Sequence, residues 1–244
     1  MTSVSEICKA HNGVTTWGFS QSDLSVAYHI FSNPATRWGI CAALSAYWIE
    51  RHAHDGSLAN ELGGGGVGPL KVGKIKEIAM LHGHVSMRGD RSDQHRDLGL
   101  WLKMHDLLPL HGSEVLKGDS KKVKGMSPTR NEFVASTTGA IANIEGNMVR
   151  GMQKFSSCYL RLNFGGNIRF KGEGGHAVAV WLGGRTYGSA GDALFFDPTY
   201  GEFWFESKAD FFRFFPVFYK AKYLSGLMNF NTRWEILPCA LRAY

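Results

Sequence analysis

Apolar positions recur at three- and four-residue intervals through about residue 155 and then switch to alternation. In "RWGICAALSAYWIERHA", residues Ala43, Leu44, Tyr47, Trp48 and Arg51 share one face of a helix predicted over residues 41–54, opened by Gly39 and Cys41. Similar spacing predicts helices over 23–31, 71–81, 93–108 and 131–153, the last weakened by Thr137, Thr138, Gly139 and Gly146. "HDGSLANELGGGGVGP", from His54, reads as a loop. Beyond Ser156, "YLRLNF" sets Leu160, Leu162 and Phe164 against Tyr159, Arg161 and Asn163, the pattern of a half-buried strand. Short strands follow at 176–182, 193–196 and 202–206, then a helix over 210–224 and a last strand at 233–237. Helices first and a largely antiparallel sheet afterwards predict an α+β domain over residues 21–244, with residues 1–20 as a flexible N-terminal segment.

Composition narrows this picture. The chain has 244 residues, 44% of them hydrophobic and 13% aromatic, which is enough for a sizeable core and argues against disorder. No apolar run reaches the length of about 18 residues that a membrane helix needs. The N-terminus lacks the basic-then-apolar order of a cleaved signal, and Thr2 excludes N-myristoylation of the unprocessed chain. Cys8, Cys41, Cys158 and Cys239 are widely spaced, without the pairs of a zinc ribbon, so reduced thiols in a cytosol-like compartment are expected. The formal charge of +6 suits a soluble basic protein and leaves an acidic partner or membrane surface open.

Cys41 starts a helix, where unpaired N–H groups and the helix dipole lower a thiol pKa; a buried structural cysteine is the alternative. "GEGGHAVAV" puts His176 at the start of a strand, on one face with Val178 and Val180. Asp197 closes the strand in "ALFFDPTYGEFWF", a position that an ordinary Asp-Pro turn also fills. Together the three supply a nucleophile, a general base and a carboxylate to orient it.

The blocks "GICAALSAYWI", "GGHAVAV" and "FFDPTYGEFWF", in this order from Gly39 to Phe205, resemble the signature blocks of the YopT/AvrPphB family of papain-like cysteine protease effectors. The resemblance implies a papain-like α+β fold in which a helical N-terminal half, with the nucleophile at a helix N-terminus, packs on a sheet from the C-terminal half. It implies Cys41 as nucleophile, His176 as general base and later acid, and Asp197 as the orienting group. It also implies a bacterial effector, secreted without a cleaved signal peptide, that cleaves a host protein in the host cytosol. In that family a side-chain amide shortly before the nucleophile serves the oxyanion. Thr36 and Arg37 occupy the region here, and Asn33 and Gln21 are the nearest amides.

A glutamine deamidase with the same three residues is the alternative reading, and a non-catalytic binding module a third. No cofactor, metal or nucleic acid is expected, and the protein is expected to be a monomer. The glycine-rich stretch 63–71 lacks the Gly-Lys-Ser/Thr ending of a phosphate-binding loop. The pairs His52/His54 and His82/His84 read as surface histidines. The basic stretch 117–130 reads as a solvated loop, with contact to an anionic membrane or acidic target as its functional alternative. Phe211, Phe214, Phe215 and Phe218 recur at helical spacing and read as core.

Overall fold

The computed structural model describes residues 3–34, 36, 39–86, 91–110, 116–119, 141–184 and 191–242. Within them the chain forms α1 (Val4–Ala10), β1 (Gly13–Trp17), α2 (Leu24–Phe31), α3 (Cys41–Ala53), α4 (Leu58–Leu62), α5 (Val72–Ser86), α6 (Arg91–Met104), β2 (Leu107–Pro109) and β3 (Leu116–Asp119). The second half adds α7 (Ile144–Met152), β4 (Cys158–Ile168), β5 (Gly172–Leu182), β6 (Ala193–Asp197), β7 (Gly201–Phe205), α8 (Lys208–Tyr223) and β8 (Met228–Leu241).

The strands build one sheet in the order β1-β7-β6-β5-β4-β8-β2, with β3 also on β8. Every pairing among the described residues is antiparallel. The sheet carries a core on each face. On one, Val178, Val180 and Phe195 meet Phe211, Phe214, Phe215 and Phe218 of α8, so the aromatic run is core as its spacing predicts. On the other, Ala179 and Phe196 meet Ala43, Leu44 and Trp48 of α3, and α5 and α6 pack outside.

Covering the sheet on both sides changes one strand from its expected form. Residues 159–164 are not half exposed: Tyr159 and Arg161 are buried like Leu160 and Leu162. The Tyr159 hydroxyl lies 2.7 Å from His52 Nδ1, and Asn163, partly buried, donates from Nδ2 to Glu235 at 3.1 Å.

Residues 1–20, expected to be flexible, hold two regular elements. Ser3 and Glu6 form a reciprocal capping box that starts α1, and β1 pairs with β7 along the sheet edge. Ile7 and Cys8 then pack into the α8 core. The loop expected after His54 contains α4, started by the Ser57 hydroxyl, which accepts the Asn60 N–H, and held by buried Leu58 and Leu62. The helix read over 93–108 ends at Met104 and is followed by β2. Of the helix read over 131–153, α7 is the described part. Most of the basic stretch 117–130 lies outside the described residues; residues 117–119 belong to β3. No helix among the described residues is long and apolar enough to cross a membrane.

Candidate active site

The site forms where the N-terminus of α3 meets one end of the sheet. Gly39 takes φ +103°, and a β-carbon there would stand 3.2 Å from Gln21 Oε1. That close approach lets the Ile40 N–H donate to Gln21 Oε1 at 3.0 Å, in place of a cap that the isoleucine side chain cannot supply. Cys41, partly exposed, is the first residue of α3. One turn on, the Ser45 hydroxyl donates to the Ala177 carbonyl at 3.0 Å and ties the helix to β5 beside His176.

His176 lies inside β5, because the hairpin with β4 continues back to Gly172, so the residue is four positions from the strand start rather than at it. β5 and β6 run antiparallel with Ala179 opposite Phe196, which brings His176 and Asp197 to the same sheet end and the same face. His176 Nε2 lies 2.9 Å from Asp197 Oδ1, leaving Nδ1 as the ring nitrogen for Cys41. Asp197 is fully buried and has further donors: the Thr199 N–H reaches Oδ1 at 2.8 Å, and the Tyr223 hydroxyl reaches Oδ2 at 2.6 Å. The Tyr223 ring stacks on the imidazole at 5.2 Å between centroids, with Phe164 at 5.6 Å.

This enclosure sets the titration behaviour. Burial opposes ionisation of Cys41, but the His176 charge, the His176 hydrogen bond and the Ala177 backbone together outweigh it and hold the thiol below its ordinary value. Burial likewise disfavours charge on His176, yet Asp197 and the Cys41 thiolate raise its pKa. Both directions favour a thiolate–imidazolium pair. The other cysteines differ: burial pushes Cys8 to about 12, Cys158 to about 11 and Cys239 to about 12.

All three residues expected from the sequence therefore converge. Of the two candidate amides, Gln21 is the one beside the nucleophile. Its N–H donates to the Pro198 carbonyl at 2.7 Å, and Nε2 donates to Thr199 Oγ1 at 3.3 Å. Asn33 is exposed in the turn after α2, where its carbonyl accepts the Thr36 N–H. Arg37 lies outside the described residues. Tyr223, Thr199 and Ser45 were not foreseen. Tyr223 continues the aromatic run of α8, so its hydroxyl is the only local sign that it is more than core.

The histidine pairs divide: His54 and His84 are exposed as expected, and their partners are not. His82 is buried, which lowers its pKa to about 4, and His52 is engaged by Tyr159. Among the described residues, no three His, Cys, Asp or Glu side chains form a group able to hold a metal.

A family profile described as Yersinia/Haemophilus virulence surface antigen, of peptidase class C58, matches residues 6–229. The chain belongs to this peptidase family. Among its relatives are cysteine protease YopT of Yersinia pestis, 24% identical over 217 residues, and cysteine protease yopT1 of Yersinia enterocolitica, 24% identical over 220. Each alignment covers 87% of this chain and 59% of the relative, so the chain spans little more than half the length of these proteins. The crystal structure of the Pseudomonas avirulence protein AvrPphB superposes with a TM-score of 0.50 at 14% identity, covering 86% of this chain and 95% of that one. That likeness gives the C58 chain a papain-like fold, as the sequence blocks imply.

Proposed function

We propose that the chain is a cysteine endopeptidase acting through Cys41, His176 and Asp197, and that it is a bacterial effector delivered into host cells to cleave a host protein. The observation that carries this reading is the position of His176, with Nε2 2.9 Å from Asp197 Oδ1 and close enough to Cys41 to lower the thiol pKa. A free cysteine with pKa near 8.5 is only a few per cent thiolate at neutral pH, and the pair with His176 raises that fraction.

In the reaction, Cys41 Sγ attacks the scissile carbonyl carbon, and the carbonyl electron pair moves onto oxygen. The oxyanion forms at the start of α3, where the Cys41 N–H and the second N–H of Gln21 Nε2, whose first goes to Thr199 Oγ1, would donate to it. Collapse breaks the C–N bond, and His176 protonates the departing amine. Water then gives a proton to His176 and attacks the thioester; Sγ leaves as thiolate and the carboxylic acid product is released. Asp197 keeps the ring oriented and offsets its positive charge throughout.

Relatives named cysteine proteases support a peptide bond, rather than a side-chain amide, as the target. The test is to add the protein, and separately Cys41→Ala, to a host-cell extract and survey the proteome by mass spectrometry. New N-termini that depend on Cys41 are expected. Glutamine-to-glutamate conversion without new termini would replace the peptidase by a deamidase.

A further inference from the structure

We propose that Tyr223 is a positioning residue of the site, setting the angle at which the Asp197 carboxylate meets His176. This rests on the reading of Cys41, His176 and Asp197 as the reactive set. The carboxylate has two oxygens with different duties. Oδ1 receives His176 Nε2 at 2.9 Å and the Thr199 N–H at 2.8 Å, whereas Oδ2 receives the Tyr223 hydroxyl at 2.6 Å. Two anchors, one on each oxygen, oppose rotation about the bond that carries the carboxylate; without the hydroxyl the contacts on Oδ1 must resist that rotation alone.

The hydroxyl is itself held in place. The Tyr223 ring is 2% exposed and lies between His176 at 5.2 Å, Phe164 at 4.8 Å and Phe230 at 5.8 Å. Burial and the neighbouring Asp197 raise its pKa well above the ordinary tyrosine value, so it stays protonated as a donor. Its face toward the imidazole also suits a positive ring. Tyr219, equally buried on the same helix, spends its hydroxyl on the Phe230 carbonyl, an ordinary structural bond away from the site.

The ionisable groups around Tyr223 are Asp197 of β6, His176 of β5, Cys41 of α3, Tyr200 of the intervening turn and Tyr219 of α8, with Lys222 over the Tyr200 ring. Removing the hydroxyl leaves Oδ2 buried without its donor, and Oδ1 alone then holds the carboxylate. The imidazole is held less firmly toward Cys41, and the thiolate loses part of its hydrogen bond and counter-charge.

The test is the pH dependence of Cys41 alkylation by iodoacetamide, which needs no substrate, in wild type, Tyr223→Phe and Tyr219→Phe. Loss of a hydrogen bond to a charged group corresponds to roughly a tenfold change. Below the wild-type acid limb, Tyr223→Phe should therefore react about tenfold more slowly, with that limb moved to higher pH. Tyr219→Phe should lose thermal stability with its limb unmoved. An unmoved or lowered limb in folded Tyr223→Phe overturns the positioning role, whatever the stability. Should Tyr223→Phe not fold, 4-fluorophenylalanine at position 223 keeps nearly the same shape and removes the donor. A limb that then stays at the wild-type value likewise overturns the proposal. Wild type whose Cys41 shows no acid-shifted reactivity overturns the reactive-set reading itself, an outcome distinct from the others.

Discussion

Replacing Asp197 by asparagine separates the two things the carboxylate does, orientation and charge. An asparagine must present one oxygen and one NH2. The Thr199 N–H is a backbone donor fixed 2.8 Å from Oδ1, so the amide oxygen is held at that position, where it also accepts from His176 Nε2. The NH2 then falls at the Oδ2 position, and the Tyr223 hydroxyl can rotate to accept from it. The imidazole keeps its tautomer and loses only the negative charge. A hydrogen bond to a charged group contributes about 1.5–3 kcal/mol and a neutral one about 0.5–1.5, so the difference is about 1 kcal/mol or slightly more. That is near one pKa unit, or about tenfold. Where an amide forces the wrong tautomer, the loss is instead about 10⁴-fold.

The sign follows from the two shifts. The Cys41 pKa is lowered, so thiolate is present above it and disappears as pH falls through it. The His176 pKa is raised, so imidazolium is present below it and disappears as pH rises through it. Losing the Asp197 charge lowers the second; it also removes a repulsion that pushes the first up, so the first does not rise. The window of the ion pair narrows from its alkaline side. Alkylation of Cys41 by iodoacetamide, followed by peptide mass spectrometry across pH, reads both limbs. Asp197→Asn is expected to keep its acid limb and to have its alkaline limb moved down by about one pH unit. A loss near 10⁴ would refute the pinning by Thr199, and an unchanged window would refute any role for the Asp197 charge.

In wild type near pH 6, iodoacetamide should modify Cys41 before Cys8, Cys158 and Cys239, which burial holds at about 12, 11 and 12; equal modification of all four would count against an activated Cys41. Gln21→Ala should reduce turnover of a host substrate by about 10²–10³-fold while Cys41 alkylation, which builds no oxyanion, stays near wild type; parallel loss of both would assign Gln21 to holding the loop instead. Ser45→Ala removes the bond to the Ala177 carbonyl and should lower stability by about 1 kcal/mol in denaturant unfolding.

Cys41, His176 and Asp197 were legible because each combines a reactive side chain with an element boundary or a strand face visible from local pattern. Their helpers were not, since each acts through a contact remote in sequence: 26 residues separate Tyr223 from Asp197, 132 separate Ser45 from Ala177, and 178 separate Gln21 from Thr199. Tyr159 and Arg161 misled for a related reason. Polar side chains in alternation read as solvent-facing, and nothing local announces that Tyr159 joins the core beneath α3. The starts of α1 and α4 were within reach, however. Ser3 with Glu6 is a capping-box pattern, and Ser57 before Leu58 is a cap, but both precede helices of 7 and 5 residues, too short to show a periodicity.

The bonds from Gln21 to Pro198 and Thr199 have a temporal consequence. A ribosome emits Gln21 and Cys41 long before the turn that grips Gln21, and loop closure over such a span comes late in folding. During synthesis the thiol therefore exists without its base, its carboxylate or its anchored amide. A chain that stops before Pro198 therefore lacks both partners of Gln21.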